Sequence, residues 1–196
     1  MTSQAQVSDT MPAFPDMLVN PFESLLDYLP DYHKSPILSD GTIRCGETEF
    51  PIHKIIICAQ SKFFLNAFTG EWKESSGNVL SLDGDEVSTV EAMLRFFYTF
   101  DYDASAATNG NTSPMVFNVK VYSVADKYDI PTLRVQAKEK FQKAVETCWD
   151  MDDFPYAIAE VYSSTPPNDK DLRSVVVAVA CEHMQDLCAK KYSLTS

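Results

Sequence analysis

The residues of this chain best suited to proton transfer, nucleophilic attack or metal binding are its three histidines and five cysteines. A catalytic histidine needs a nucleophile or an orienting carboxylate beside it. His33 lies between prolines and His183 lies late in the chain, and no motif surrounds either one. The sequence also has no Gly-x-Ser-x-Gly turn and no glycine-rich phosphate loop. We therefore expect no enzymatic activity, no catalytic residue and no bound cofactor.

The strongest metal candidate is the C-terminal trio of Cys181, His183 and Cys188. On a helix the two cysteines share a face, whereas His183 points elsewhere. No Cys-x-x-Cys pair supplies the remaining ligands of a tetrahedral site. Buried cysteines that act as small apolar side chains explain this pattern better, so we expect no metal site.

His53 lies in the stretch EFPIHKIIICAQSKFFLNAF, residues 49–68, between an alternating segment and an apolar run. A histidine at a helix start can bond the backbone groups that are left unpaired there. A catalytic base at this position would need a partner that the sequence does not supply. We favour a structural role for His53, with catalysis as the alternative.

The charge of the chain bears on its partners and its location. Its 16 basic and 28 acidic residues give a net charge of −12, which repels nucleic-acid phosphates and anionic membranes. No apolar run is long enough to span a bilayer, and we expect no signal peptide. The odd number of cysteines disfavours a disulfide framework. We expect no nucleic-acid or membrane binding, and a cytoplasmic or nuclear location.

Hydrophobic spacing predicts a small sheet followed by many helices. A short helix is predicted over 21–29, with an apolar face formed by Phe22, Leu25, Leu26 and Leu29. Strands are predicted at 41–45, 48–52 and in NVLSLDG. A helix is predicted over 53–60, and a second one from Ser61 to Gly70 with Phe64, Leu65 and Phe68 on one face. Further helices are predicted over 86–100, over 115–128, beginning at residue 131, over 152–163 and over 169–189. The polar stretch 101–114 is predicted to be a loop. This is an α+β arrangement, a three-stranded sheet flanked by helices.

Several stretches together resemble the BTB/POZ domain, in the form common in filamentous fungi. They are Ser39-Asp40, Phe50 with His53-Lys54, Ser61-x-x-Phe64, Tyr98-Thr99, and Ala125-Asp126-Lys127-Tyr128 with Leu133. The resemblance implies a BTB/POZ fold over 37–145. An N-terminal extension with a short helix would occupy 1–36, and a C-terminal helical extension 146–196.

The resemblance implies a non-enzymatic protein–protein interaction and oligomerisation module that forms a homodimer. The alternatives are a substrate adaptor of a cullin-type ubiquitin ligase and a scaffold that recruits transcriptional corepressors. The sequence does not identify a client protein.

The same resemblance suggests residues for these roles. It implies a structural polar pair between Asp40 and His53. It places the dimer contact on the apolar face of the 21–29 helix, which could instead fold back onto its own domain. The candidate cullin contacts are Val90 and Tyr98, although Val90-Glu91-Ala92 lacks the glutamate of the usual hydrophobic-x-Glu pattern.

Overall fold

The computed structural model describes residues 21–70, 78–104 and 113–186. Helix α1 (Pro21–Tyr28) continues into a 3-10 helix (Leu29–Tyr32), which leads to the strands and the first core helices. These elements are β1 (Gly41–Cys45), β2 (Thr48–Ile52), α2 (Lys54–Cys58), α3 (Lys62–Thr69) and β3 (Val79–Ser81). The later helices are α4 (Val87–Thr99), α5 (Pro114–Lys127), α6 (Pro131–Cys148), α7 (Phe154–Ser164) and α8 (Asp171–Glu182).

The sheet has the strand order β2-β1-β3, so β1 is its central strand. β1 and β2 pair as an antiparallel hairpin, whereas β3 lies parallel to β1. Gly46 has a φ of +57° in the hairpin turn, a conformation that glycine adopts without steric cost. Ile43 pairs with both Phe50 and Leu80, and all three are buried. The predicted three-stranded sheet flanked by helices is confirmed.

Helix α4 packs against the 3-10 helix, α2 and α5, and it carries the apolar face that its spacing predicts. Its buried side chains include Val90, Met93, Phe97 and Tyr98. The apolar cluster continues through α5 and α6 into the last two helices. α7 and α8 contribute Phe154, Ala157, Val161, Leu172, Val176 and Val179. The C-terminal helices therefore share one core with the sheet. Within the described ranges, no helix is long and apolar enough to cross a membrane.

The structure corrects the prediction of a buried helix over 53–60. Helix α2 spans only Lys54–Cys58, and Ile57 is its one buried residue. Ile55 is 81% exposed, because so short a helix turns only one side toward the core. In α3 the same geometry buries Phe64 and Phe68 but leaves Leu65 exposed.

The N-terminal segment packs in part against its own domain, and the dimer contact on the 21–29 helix stays a prediction. Leu29 and Tyr32 pack against the core. Leu25 is 60% exposed and Leu26 is partly buried. The side chain of Phe22, residue Cys188 and loop residues 105–112 lie outside the described residues.

Candidate interaction surface around His53

The His53 side chain ties three segments together from a buried position. His53 is the N-cap residue of α2 and is only 6% exposed. Its Nδ1 lies 2.9 Å from the hydroxyl of Tyr98 on α4, which also accepts a bond from the His53 backbone N–H at 3.0 Å. Its Nε2 lies 2.8 Å from the carbonyl oxygen of Ile37. The ring of Tyr32 meets the imidazole edge-on at 5.5 Å between centroids.

The expected pairing of Asp40 with His53 is corrected. Asp40 Oδ1 accepts a hydrogen bond from the backbone N–H of Lys54 at 2.7 Å. The carboxylate therefore satisfies one of the unpaired donors in the first turn of α2. Both ring nitrogens of His53 instead face Tyr98 and Ile37. The two residues support the same helix start through different partners.

The surroundings of His53 indicate a structural role. Burial raises the pKa of Tyr98 and the nearby Asp40 carboxylate adds to the rise, while the hydrogen bond from the His53 backbone opposes it. The protonated form of the phenol beside the imidazole is therefore favoured. In the part of the chain that the structure describes, no group of three potential ligands could hold a metal ion.

Five large apolar side chains on the segments that lead to this buried centre are exposed to solvent. We call them the N-terminal face, and they are Leu25, Tyr28, Ile37, Leu38 and Ile55. Leu38 is 78% exposed, and it directly follows the residue whose carbonyl contacts His53. α1 joins the 3-10 helix that contacts α4, while Ile55 lies two residues beyond His53. The exposed side chains are thus carried by segments that converge on His53.

The prediction that Val90 and Tyr98 contact a cullin is wrong, because neither side chain reaches the surface. Val90 is 0% exposed and Tyr98 is 1% exposed. Both lie on the side of α4 that packs into the core, and the Tyr98 hydroxyl is already bonded to His53. A partner cannot reach either side chain in this fold.

Four residues of the N-terminal face, Tyr28, Ile37, Leu38 and Ile55, were not identified from the sequence. Ile37 and Leu38 form an isolated apolar pair in a polar stretch, after Pro36, and this position was a usable signal. Ile55 carried no such signal, because it is one of three consecutive isoleucines, of which Ile57 is buried. Periodicity cannot separate the exposed member of so short a run from the buried one.

Comparison with known proteins identifies the fold that the sheet and its helices form. A family model for the BTB/POZ domain matches residues 29–144. The solved BTB domain of zebrafish PATZ1 has the same fold, with a TM-score of 0.50 and 18% identity over 67% of this chain and 99% of that one.

Curated relatives match the same region and are much longer. Kelch-like protein 41 of Rattus norvegicus is 22% identical over 143 residues, which are 73% of this chain and 21% of that protein. BTB/POZ and MATH domain-containing protein 5 of Arabidopsis thaliana is 28% identical over 116 residues, which are 55% of this chain and 28% of that protein. The matched part of this chain thus spans about a fifth to a quarter of the length of these relatives.

Proposed function

The chain belongs to the BTB/POZ domain family, and from this premise we propose that it acts as a non-enzymatic protein–protein interaction module that self-associates. The observation that carries the proposal is the N-terminal face. Its large apolar side chains remain in solvent although the chain buries a continuous core elsewhere. Large apolar side chains left in solvent, where they lie together, mark sites of protein association.

A symmetric homodimer is the proposed form of self-association, since twofold dimers are the commonest closed assemblies of soluble proteins. In such a dimer the same surface of each chain meets its counterpart. Among the large apolar residues that the structure describes, Ile55 is the most exposed, and Leu38 follows it. Burying both on each copy would remove them from water and stabilise the pair.

Light scattering on the full chain tests this proposal. At about 50 μM, far above the Kd of a stable interface, we expect a mass about twice that of one chain. Ile55→Lys should lower the mass to that of a monomer, because a lysine there would bury a charge at the contact. Tyr156→Lys is the matched control, since Tyr156 is also highly exposed but lies on α7. A monomeric wild type, or equal dissociation of both variants, would contradict the proposal.

The second candidate function is that of a cullin-type adaptor. α4 keeps an accessible first turn, where Val87 is partly exposed. A pulldown with a purified cullin N-terminal domain, using Val87→Asp as the variant, distinguishes this candidate. Retention by the wild type and loss by Val87→Asp would favour the adaptor. Self-association without retention would leave the oligomerisation module alone.

A further inference from the structure

Helix α8 carries apolar side chains on two of its sides. Its buried residues, which pack into the core, are Leu172, Val176 and Val179. Val177 is 50% exposed, and Met184, two residues beyond the end of α8, is 55% exposed. Cys181 lies between them, has a free thiol and is also exposed. One side of the helix therefore serves its own domain, and a second apolar side is left in solvent.

The exposed side has the spacing by which two helices pair. Four exposed residues follow one another at steps of three, four and three, and they are Ser174, Val177, Cys181 and Met184. This alternation is that of the a and d positions of a coiled coil. Residues 184–186 are helical again after His183, whose N–H bonds the carbonyl of Val179 at 3.0 Å. We call the four exposed residues the α8 stripe.

Small residues border the centre of the α8 stripe. Ala178 and Ala180 lie on its two sides, between the levels of Val177 and Cys181. The distance between two packed helices depends on the side chains at the contact, and alanine permits a close approach. A second helix can therefore reach the stripe along its middle.

The charges at the two ends of α8 favour one direction of pairing. The cations at the N-terminal end are Lys170 and Arg173, and the anions at the C-terminal end are Glu182 and Asp186. The nearby Asp169 and Asp171 are paired with cations of α6. Two antiparallel copies of α8 bring the cations of each toward the anions of the other, whereas parallel copies bring like charges together. The complement of this helix is thus a second α8 in the opposite direction.

We propose that the α8 stripe pairs in antiparallel fashion with the α8 stripe of a second copy of this chain. The twofold axis crosses the stripe midway between Val177 and Cys181. Each Val177 then packs against Cys181 of the other copy, and each Ser174 lies level with Met184 of the other copy.

This contact is separate from the N-terminal face and weaker than a stable interface. A stable interface uses about 20–30 residues of each partner, far more than the stripe offers. Pairing through α8 therefore adds to the proposed dimer only at high protein concentration. Two different twofold contacts on one chain join dimers into larger assemblies.

Disulfide trapping tests the register and the direction of the pairing. In Val177→Cys the new thiol lies against Cys181 of the second copy. Oxidised glutathione takes up two electrons and two protons as the two sulfurs join. A disulfide requires Cα atoms within about 7 Å of each other. We expect a covalent dimer of Val177→Cys on a non-reducing gel.

The wild type and Val177→Cys/Cys181→Ser are the matched controls. In antiparallel pairing the two copies of Cys181 lie about 6 Å apart along the helix axis, in addition to the spacing between the helices. The two copies of position 177 are separated in the same way. Neither control should therefore form the covalent dimer. Equal cross-linking of all three proteins, or cross-linking of the two controls alone as in parallel pairing, would overturn the inference.

Sedimentation of Ile55→Lys measures the reversible contact without the proposed N-terminal dimer. Between about 50 μM and about 1 mM its mass should rise from that of one chain toward that of two. Adding Val177→Lys should abolish the rise, because a charge would be buried at the contact. Adding Tyr156→Lys, on the exposed side of α7, should preserve it. A constant mass of Ile55→Lys, or an equal rise with Val177→Lys, would contradict pairing through α8.

Failure of this inference differs from failure of the proposed function. A wild type that is monomeric at about 50 μM contradicts the N-terminal dimer. The cross-linking pattern and the effect of Val177→Lys at the higher concentration still decide whether α8 pairs. A dimer that Ile55→Lys dissociates, with no cross-linking of Val177→Cys, would leave the N-terminal face as the contact and overturn the α8 pairing.

Discussion

His33 and His53 both lie beside the phenol ring of Tyr98 and differ in how their polar atoms are satisfied. Each imidazole centroid is 5.7 Å from that of Tyr98. Both nitrogens of His53 have partners, whereas His33 Nε2 is buried and has none among the described residues. Burial, followed by the cations Lys34 and Arg95, lowers the pKa of His33, and Glu91 opposes the shift. The folded chain therefore disfavours the charged form of His33.

This shift gives the stability of the protein a pH dependence of known sign. As pH falls below about 6.5, the unfolded chain binds a proton at His33 before the folded chain does. The free energy of unfolding should therefore decrease from that pH downward, until the folded His33 also titrates. Urea unfolding at about pH 7.5 and about pH 5.5 measures the loss.

His33→Gln provides the comparison, because glutamine does not titrate. The decrease between the two pH values should be smaller in this variant than in the wild type. His183→Gln is the control, since His183 stacks on Trp149 far along the chain and should leave the decrease unchanged. Equal decreases in the wild type and in His33→Gln would contradict the prediction.

Among the secondary-structure elements, α3 begins with a cap that also joins it to the core. The Ser61 hydroxyl accepts from the Phe64 N–H at 3.1 Å and donates to the carbonyl of Tyr128 at 2.6 Å. Ser113 at the start of α5 accepts from the Met115 N–H at 3.2 Å. Ser61 is buried and Ser113 is partly exposed. Water can therefore partly replace the cap at Ser113 but not the one at Ser61.

We predict that Ser61→Ala is the more damaging of two matched cap substitutions. Removing a helix cap costs about 1 kcal/mol, and leaving the buried Tyr128 carbonyl unpaired adds about 1–3 kcal/mol. Ser113→Ala should show only the cost of the cap. Chemical unfolding of both variants measures the difference, and equal losses would mean that the Tyr128 bond adds no stability.

Across the whole molecule, a polar cluster joins the C-terminal helices to the BTB/POZ core. The buried Tyr122 hydroxyl accepts from Arg134 Nε and donates to Asp169 Oδ2, both at 2.8 Å. Asp171, at the start of α8, accepts from Lys138 Nζ at 2.7 Å and from Arg134 at 2.9 Å. Burial and the Asp169 carboxylate raise the pKa of Tyr122, so the hydroxyl keeps its proton.

We predict that Tyr122→Phe destabilises the whole chain rather than the C-terminal part alone. Losing a buried hydrogen-bonded hydroxyl costs about 1–3 kcal/mol, and the continuous apolar cluster should spread that loss over one cooperative unit. Calorimetry and hydrogen exchange should report a single transition at a lower Tm. The boundary at 146 remains a prediction, and two separate transitions would support it.

Tyr162→Phe is the control for this substitution. Tyr162 lies on α7 and is about half exposed, so removing its hydroxyl should change the free energy of unfolding by less than about 0.5 kcal/mol. If Tyr162→Phe lowered the free energy of unfolding as much as Tyr122→Phe does, the C-terminal helices would be sensitive to the loss of any tyrosine hydroxyl.

The bounds of β1 and β2 and the buried side of α4 could be predicted because they depend on local periodicity. Alternation around the Gly46 turn specifies the hairpin, and the 3.6-residue period of α4 specifies the face with Val90 and Phe97. The family resemblance followed from residue types at set positions along the chain. These features depend on neighbours in sequence, so the sequence alone determined them.

The site around His53 depended on the tertiary structure. His53 bonds to Tyr98 and Ile37 rather than to Asp40 because of where α4 and the segment before β1 meet the start of α2. Exposure of Ile55 beside the buried Ile57 depends on which side of α2 faces the sheet. Hydrogen-bond partners and solvent exposure are set by residues distant in sequence. A pattern of neighbouring residues does not show which distant residues come into contact.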